Sequence, residues 1–252
     1  MRREISKLPK TPKFGDKLIQ LTTDFIFQPD ASYDLSGKTL FICSIANLNA
    51  MIRKFSELKN VPESKIVISG GINPVYKKLS PETILMKLMS RRNFIEWKDI
   101  LGKPESHIIL EALDENFILP AHIGTETESL NTRENWVNSR NFESMKNPDG
   151  IVVLSDATYA LRSKLTARAV LPAEVGIETI SYEAHYNGPF MNDMKFPFLN
   201  LHASRDGWSE NFFARKMVWS EVLRIKKYGD KGDLVIDAAN AEKLKEIMQH
   251  CR

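Results

Sequence analysis

Two hydrophobic periods alternate along the chain. Short unbroken apolar runs recur at Lys38 to Ser44 (K-T-L-F-I-C-S), Lys65 to Ser69 (K-I-V-I-S), Pro120 to Ile123, Gly150 to Leu154 (G-I-V-V-L) and Gly176 to Tyr182. Runs of this length, bounded by turn residues, predict strands buried on both faces. Between them, apolar residues return at helical spacing. Leu18, Ile19, Leu21, Phe25 and Ile26 predict a helix over 16–27. Leu48, Ile52, Phe55 and Leu58 predict a second, which Asn47 can cap, and Ile108, Ile109, Ala112 and Leu113 another over 105–117. Residues 81–101 form a charged amphipathic segment, ended by Gly102-Lys103-Pro104. Asn131 or Thr132 can cap a helix with Glu134 and Asn135 in its first turn, and Thr158 can cap one that runs to about Ala169.

This alternation predicts a parallel sheet covered on both faces. Right-handed crossovers then make it a doubly wound α/β sandwich. The pattern breaks after Tyr182. Residues 183–207 read as loop, with Gly188, Pro189, Pro197 and Gly207, and two helices follow at 209–227 and 238–250. The expected division is an N-terminal arm and helix at 1–37, a ligand-binding domain at 38–182 and a helical region packed on it at 183–252. The two C-terminal helices form an appendage or belong to the outer layers.

Composition narrows the class. The 252 residues, 42% hydrophobic and 27% charged, suit an ordinary globular protein with room for one large domain. A formal charge of +3 argues neither way on nucleic acid, but the only local basic excess, Arg2, Arg3, Lys7, Lys10, Lys13 and Lys17, reads as a solvated tail and not a concentrated basic face, so no nucleic-acid partner is expected. No apolar run approaches membrane length, and the N-terminus carries charges without an apolar core, so no membrane partner and a cytoplasmic location are expected. Cys43 and Cys251 lie far apart and near no histidine at ligand spacing, so neither a disulfide nor a metal site is expected. Oligomeric state is left open.

The candidate chemistry gathers at strand ends, where an open α/β sheet places its ligand. Ser69-Gly70-Gly71 follows the second strand. Paired glycines there allow backbone N–H groups to approach an anion, or simply make a tight turn. Thr125 to Ser139 packs Glu126, Glu128, Ser129, Asn131, Glu134 and Asn135 into one polar stretch. Glu134 fits a positive helix end; Glu126, before the cap, can accept hydrogen bonds from a ribose diol. Asn131 and Asn135 either orient the loop or touch the ligand. Asp156 and Thr158 follow the fourth strand, and Arg162, one turn on, is either solvated or reaches a phosphate. G-x-G-x-x-G, a Walker loop, H-E-x-x-H and G-x-S-x-G are absent.

Three elements occur in order: Ile68-Ser69-Gly70-Gly71-Ile72, then E-x-x-S-x-N-x-x-E-N from Glu126 to Asn135, then Val152-Val153 through Asp156, Thr158 and Arg162. Together with Glu105, Ser220 to Arg224 and Tyr228 to Asp233, they resemble the bacterial SanA/ElyC/YdcF family, most nearly its soluble YdcF type. The resemblance spans about residues 38–236. It implies a Rossmann-like three-layer α/β/α sandwich with a C-terminal helical appendage and binding of S-adenosylmethionine, with no established reaction. The chain departs from the pattern at Ser44-Ile45-Ala46-Asn47, where many members have a glycine-rich turn. It departs again at Tyr159, where many have a histidine, so an obvious acid/base candidate is missing and no catalytic residue is assigned.

The first expectation is therefore a small-molecule binder for a nucleotide-like ligand, S-adenosylmethionine preferred, held by Ser69, Gly70, Gly71, Glu105, Glu126, Ser129, Asn131, Glu134, Asn135, Asp156, Thr158 and Arg162. Glu126→Ala and Asp156→Ala are expected to abolish binding and leave the fold intact. The alternatives are a divalent-metal-dependent enzyme on a phosphorylated or nucleotide substrate, with Arg162 as phosphate clamp, and a non-catalytic regulatory or scaffold protein.

Overall fold

A computed structural model describes residues 10–43, 48–61, 65–72, 102–120, 123–146, 148–186, 201–210 and 212–251. The expected cap at Asn47, the departure at 44–47 and the amphipathic segment 81–101 lie outside these residues.

Five parallel strands form one sheet: β1 (Thr39–Ile42), β2 (Lys65–Ser69), β3 (Ile123–Glu126), β4 (Ile151–Asp156) and β5 (Ile177–Tyr182), in the order β3-β2-β1-β4-β5. β1 is central, with Leu40 beside Ile66 on one flank and Val152 on the other. The order turns back on itself at β1, so the connections leaving β1 and β4 diverge there. That geometry opens a crevice at the carboxyl ends of the strands.

Side chains alternate across the sheet, and each face has its own core. Leu40, Ile42, Ile66, Ile68, Val152, Leu154 and Ile180 pack under α2 (Leu48–Ser56) and α3 (Glu105–Asp114) through Met51, Phe55, Ile109 and Leu113. Phe41, Cys43, Val67, Ile151 and Val153 face the other way, against Trp136 of α4 (Thr132–Ser139) and Ala167 of α5 (Ala160–Val170). Trp136 is fully buried and stacked on Phe41, with ring centroids 3.8 Å apart. The sheet is thus flanked by helices on both faces.

A third core lies on the outer side of α5. Leu161 and Leu165 pack there against α6 (Phe212–Asp230) and α7 (Ala238–His250) through Val218, Val222, Leu244 and Ile247. The N-terminal α1 (Asp16–Ile26) joins the same core through Leu18, Phe25 and Ile26. Trp208 anchors it, its indole donating to Thr23 Oγ1 at 2.9 Å. The Asp237 side chain caps α7, accepting from Asn240 N at 3.0 Å, and it pairs with Arg168 of α5 at 2.6 Å. Asp237→Ala is expected to cost about 1 kcal/mol, the usual value of an N-cap, measured by urea unfolding. No loss would mean that the helix end is satisfied by water.

Three expectations need correction. The third strand runs on through Ile123–Glu126, beyond the expected end at Ile123, so Glu126 ends a strand rather than following one; residues 121–122 of the expected run lie outside the described residues. Its Gly124 leaves room for the Phe142 ring: a Cβ there would stand 3.2 Å from it, so the ring would have to give by a few tenths of an ångström. Residues 183–207 are not wholly loop: β6 (Ala184–Tyr186) and β7 (Leu201–Ala203) pair antiparallel. Thr158 does not cap α5; Tyr159 occupies that position without a side-chain cap.

Among the described residues no helix is long and apolar enough to cross a membrane.

Candidate functional site

Two polar networks stand at the carboxyl edge of the sheet. The first is centred on Glu126, which lies opposite Ser69 in the β2–β3 register and is 5% exposed. Its Oε2 accepts from Ser69 Oγ at 2.7 Å. Its Oε1 accepts from Glu128 N at 2.7 Å, Ser129 N at 2.8 Å and Asn138 Nδ2 at 3.1 Å. Burial opposes ionisation, but the bonds from Ser129, Ser69, Glu128 and Asn138 outweigh it and hold the carboxyl below its ordinary value. Ser129 Oγ donates to Asn135 Oδ1. Four donors meet this carboxylate and give Glu126 a structural role: it folds the 127–129 turn onto β2.

The glycine pair serves the same turn. Gly70 N donates to Glu126 O at 3.1 Å and Gly71 N to Ser129 O at 3.0 Å. A Cβ on Gly71 would stand 2.4 Å from Ser129 O, so backbone meets backbone there. Gly70 takes φ +155°, and a Cβ on it would lie 2.9 Å from the Glu105 Cβ. The expected N–H cradle for an anion is therefore not what these amides form. Their carbonyls point the other way and cap α3: Glu105 N donates to Gly71 O at 3.1 Å and Ser106 N to Gly70 O at 2.9 Å.

Asn131 and Glu134 bond reciprocally at the start of α4. Glu134 N donates to Asn131 Oδ1 at 3.0 Å, while Asn131 Nδ2 and Leu130 N donate to the Glu134 carboxylate at 2.6 and 2.7 Å. This is a variant of the capping box, with the Glu134 carboxylate taking the Leu130 amide and the Asn131 side chain in place of the cap residue's own N–H, and it gives both residues a structural role.

The second network is centred on Arg162. Its Nε lies 2.6 Å from Glu221 Oε2 of α6, and its Nη1 donates to Thr132 Oγ1. Its guanidinium stacks on Tyr159, 4.5 Å from the ring centroid, and Tyr159 Oη also donates to Thr132, at 2.9 Å. Arg224 pairs with the other oxygen of Glu221. Burial works against ionised Glu221, and the two arginines overcome it, keeping its carboxyl below the ordinary value. Arg162 is thus held largely inside the protein by Glu221 and Thr132 rather than solvated. Cys43 is inert here: burial pushes its thiol up to about 11, and it contacts Ser163 Oγ at 3.3 Å.

Asp156 ends β4, 2% exposed. Its Oδ1 accepts from Thr158 N at 2.9 Å and from Thr158 Oγ1. Its Oδ2 is buried and has no hydrogen-bond partner among the described residues. Burial pushes the carboxyl up to about 6; the Thr158 bonds resist that rise and the Glu221 charge adds to it. A half-satisfied buried carboxylate is costly, and such groups concentrate where a ligand completes them.

Two cavities are lined by residues that follow Asp156 in the chain, Ala157 in one and Arg162 in the other. One of about 470 Å³ is lined by Ala157, Ser181, Tyr182 and the α2 residues Ala50, Arg53 and Lys54. One of about 300 Å³ is lined by Thr132, Glu134, Arg162, Tyr228 and Asp233. Among the described residues no group of three or more His, Cys, Asp or Glu side chains is placed to hold a metal ion.

Of the expected site residues, Ser69, Gly70, Gly71, Glu126, Ser129 and Asn135 come together, with Glu105 beside Gly70. Asn131 pairs with Glu134, and Asp156 with Thr158. Glu221, Thr132, Asn138 and Tyr159 complete the site and were not expected in it. Thr132, Asn138 and Tyr159 are close in sequence to expected members. Glu221 joins from a helix 59 residues beyond Arg162.

No known protein family and no curated protein matches this chain.

Proposed function

We propose that the protein binds a nucleotide-like small molecule carrying a positive charge, with S-adenosylmethionine the preferred ligand, at the crevice where β1 and β4 diverge. On this reading the sheet is doubly wound in the Rossmann manner, and α6 and α7 are an appendage packed on α5. The observation that carries the proposal is Asp156 Oδ2, a buried carboxylate oxygen with no partner among the described residues. A sulfonium or ammonium group supplies the missing charge. The cavity of about 470 Å³ beside Ala157 has the volume of an ordinary small-molecule site. The resemblance to the soluble YdcF type favours the same ligand and a bacterial, cytoplasmic setting. No side chain is proposed as a general base, so the reading is one of binding. Transfer of a methyl group would need an acceptor aligned with the methyl carbon and the sulfur.

A thermal-shift series tests this, with S-adenosylmethionine, S-adenosylhomocysteine, ATP, NAD and sugar nucleotides, each with and without Mg²⁺. A ligand at one hundred times its dissociation constant adds about 2.7 kcal/mol. In a chain of this size that raises Tm by about 5–10 °C. The expected result is a Mg²⁺-independent shift with S-adenosylmethionine, larger than with its uncharged product. A Mg²⁺-dependent shift with a phosphorylated compound would replace the proposal by a metal-dependent enzyme. A silent series would leave a regulatory or scaffold protein.

A further inference from the structure

We infer that the cavity of about 300 Å³ lined by α4, α5 and the end of α6 is a binding site for a phosphate group, free or as a small monoester, with Arg162 as its main contact. It is a separate site from the cavity beside Ala157. A guanidinium carries five N–H donors in one plane. Glu221 takes Nε at 2.6 Å and Thr132 takes one hydrogen of Nη1. Nη2 has no hydrogen-bond partner among the described residues, and unlike Asp156 Oδ2 it is not sealed from solvent. The side chain as a whole is only 12% exposed, and the open space it adjoins is this cavity. Thr132 adds a second donor. Its Oγ1 accepts from Arg162 Nη1 and from Tyr159 Oη at 2.9 Å, which uses both lone pairs. Its own proton has no acceptor among the described residues and is left for a ligand on the lining it shares with Arg162. Tyr228, on the same lining, has a hydroxyl that makes no hydrogen bond among the described residues.

Charge favours an anion here. Glu221 cannot cancel Arg162 in full, because Arg224 shares it. Two guanidiniums on one carboxylate leave one positive charge, and Arg162 is its less exposed holder, at 12% against 49%. The carboxylates on the lining are engaged. Glu134 accepts from Leu130 N and Asn131 Nδ2 at 2.7 and 2.6 Å, and Asp233 stands 4.0 Å from Arg133. The walls are fixed before a ligand arrives. Asp233 N donates to Tyr228 O at 2.9 Å and Val235 N to Leu165 O at 3.0 Å, which ties the turn after α6 to α5. The open donors of Arg162, Thr132 and Tyr228 thus stand on three separate elements around one preformed space. A carboxylate offers two oxygens in one plane. A phosphate offers three or four in a tetrahedral array, which suits donors so distributed, and a guanidinium is its common partner.

The test uses the full chain as wild type, R162K, Y228F and R53Q. Inorganic phosphate and glycerol 3-phosphate are titrated without added metal, at constant ionic strength so that general screening does not change. Amide NMR shifts read both affinity and position. Wild type is expected to bind inorganic phosphate with a Kd on the order of 1 mM and to shift the Thr132, Arg133 and Tyr228 amides. R162K keeps a cation beside Glu221 but loses Nη2, and affinity is expected to fall at least about tenfold. Y228F removes a hydroxyl that bonds nothing else in the described fold; affinity is expected to fall at least about threefold at unchanged Tm. R53Q removes a cation of the other cavity and should change affinity by less than about twofold. Tighter binding of glycerol 3-phosphate would mark a monoester as the ligand, and equal affinities free phosphate; either supports the site. No saturation below about 50 mM, shifts confined to residues around Arg53, or full affinity in both R162K and Y228F would overturn the inference. Should R162K fail to fold, Y228F and the wild-type shift map decide.

Discussion

Glu126→Ala is expected to lower folding stability by about 3–5 kcal/mol, which makes it a folding variant before it is a binding variant. The side chain accepts from four donors, Ser69, Glu128, Ser129 and Asn138. A hydrogen bond to a charged group contributes about 1.5–3 kcal/mol, and a buried donor left alone costs about 1–3 kcal/mol. Water can reach some of the four in the variant, which keeps the total below the simple sum. The effect depends on pH with a fixed sign. The folded carboxyl lies below its unfolded value of about 4.3, so its contribution is complete above that pH and is lost as pH falls through the folded value. Urea unfolding at pH 7 and at pH 4 measures both effects: a large gap that narrows in acid. A gap under about 1 kcal/mol at pH 7 would show that the turn does not depend on this carboxylate. The expectation that Glu126→Ala leaves the fold intact gives way to this one.

Asp156→Asn is expected to move stability the other way while it removes ligand binding. The folded carboxyl titrates at about 6 because of burial, against about 3.9 in the unfolded chain. By linkage this one group's contribution to stability is complete below about pH 4 and falls by up to about 3 kcal/mol as pH rises from there through about 6. Asparagine cannot ionise, and its Oδ1 can still accept from Thr158. Its amide nitrogen takes the unpartnered position, at a cost that returns part of the gain. The net expectation above pH 7 is about 1–2 kcal/mol more stability, shrinking to nothing or reversing near pH 4. Affinity for S-adenosylmethionine should fall at least about tenfold in the same variant. Chemical denaturation from pH 4 to pH 8, with calorimetry at pH 8, reads both quantities. Lower stability of the variant at pH 8 would mean that Oδ2 has a partner the wild type depends on.

Much of the sheet was legible because β1, β2 and β4 are unbroken apolar runs, buried on both faces. The end of β3 was missed for a physical reason. Its sequence, I-G-T-E, has one apolar side chain; Gly124 yields to a ring and Glu126 is buried by hydrogen bonds instead of by apolarity. β6 and β7 are three residues each and carry no alternation long enough to register. The cap at Asn131 was legible because it depends on neighbours three residues away. The role of Glu126 was not, since residue type cannot count the donors that meet it. The pairing of Arg162 was not legible for the same reason: its partner Glu221 is supplied by tertiary packing. Asp156 was singled out by its place at a strand end, and burial in the folded chain is what gives it a special charge.

The position of β1 has a consequence for the chain as it is synthesised. Its second neighbour, β4, begins more than one hundred residues after it, at Ile151. Until that segment leaves the ribosome, the half-built sheet of β1, β2 and β3 carries T-L-F-I as an unpaired edge, with no charge or proline to guard it. Such an edge is a template for pairing with other chains. Products terminated before Ile151 should therefore precipitate or be held by chaperones. Completion of β4 is the step that changes an aggregation-prone edge into the centre of the fold.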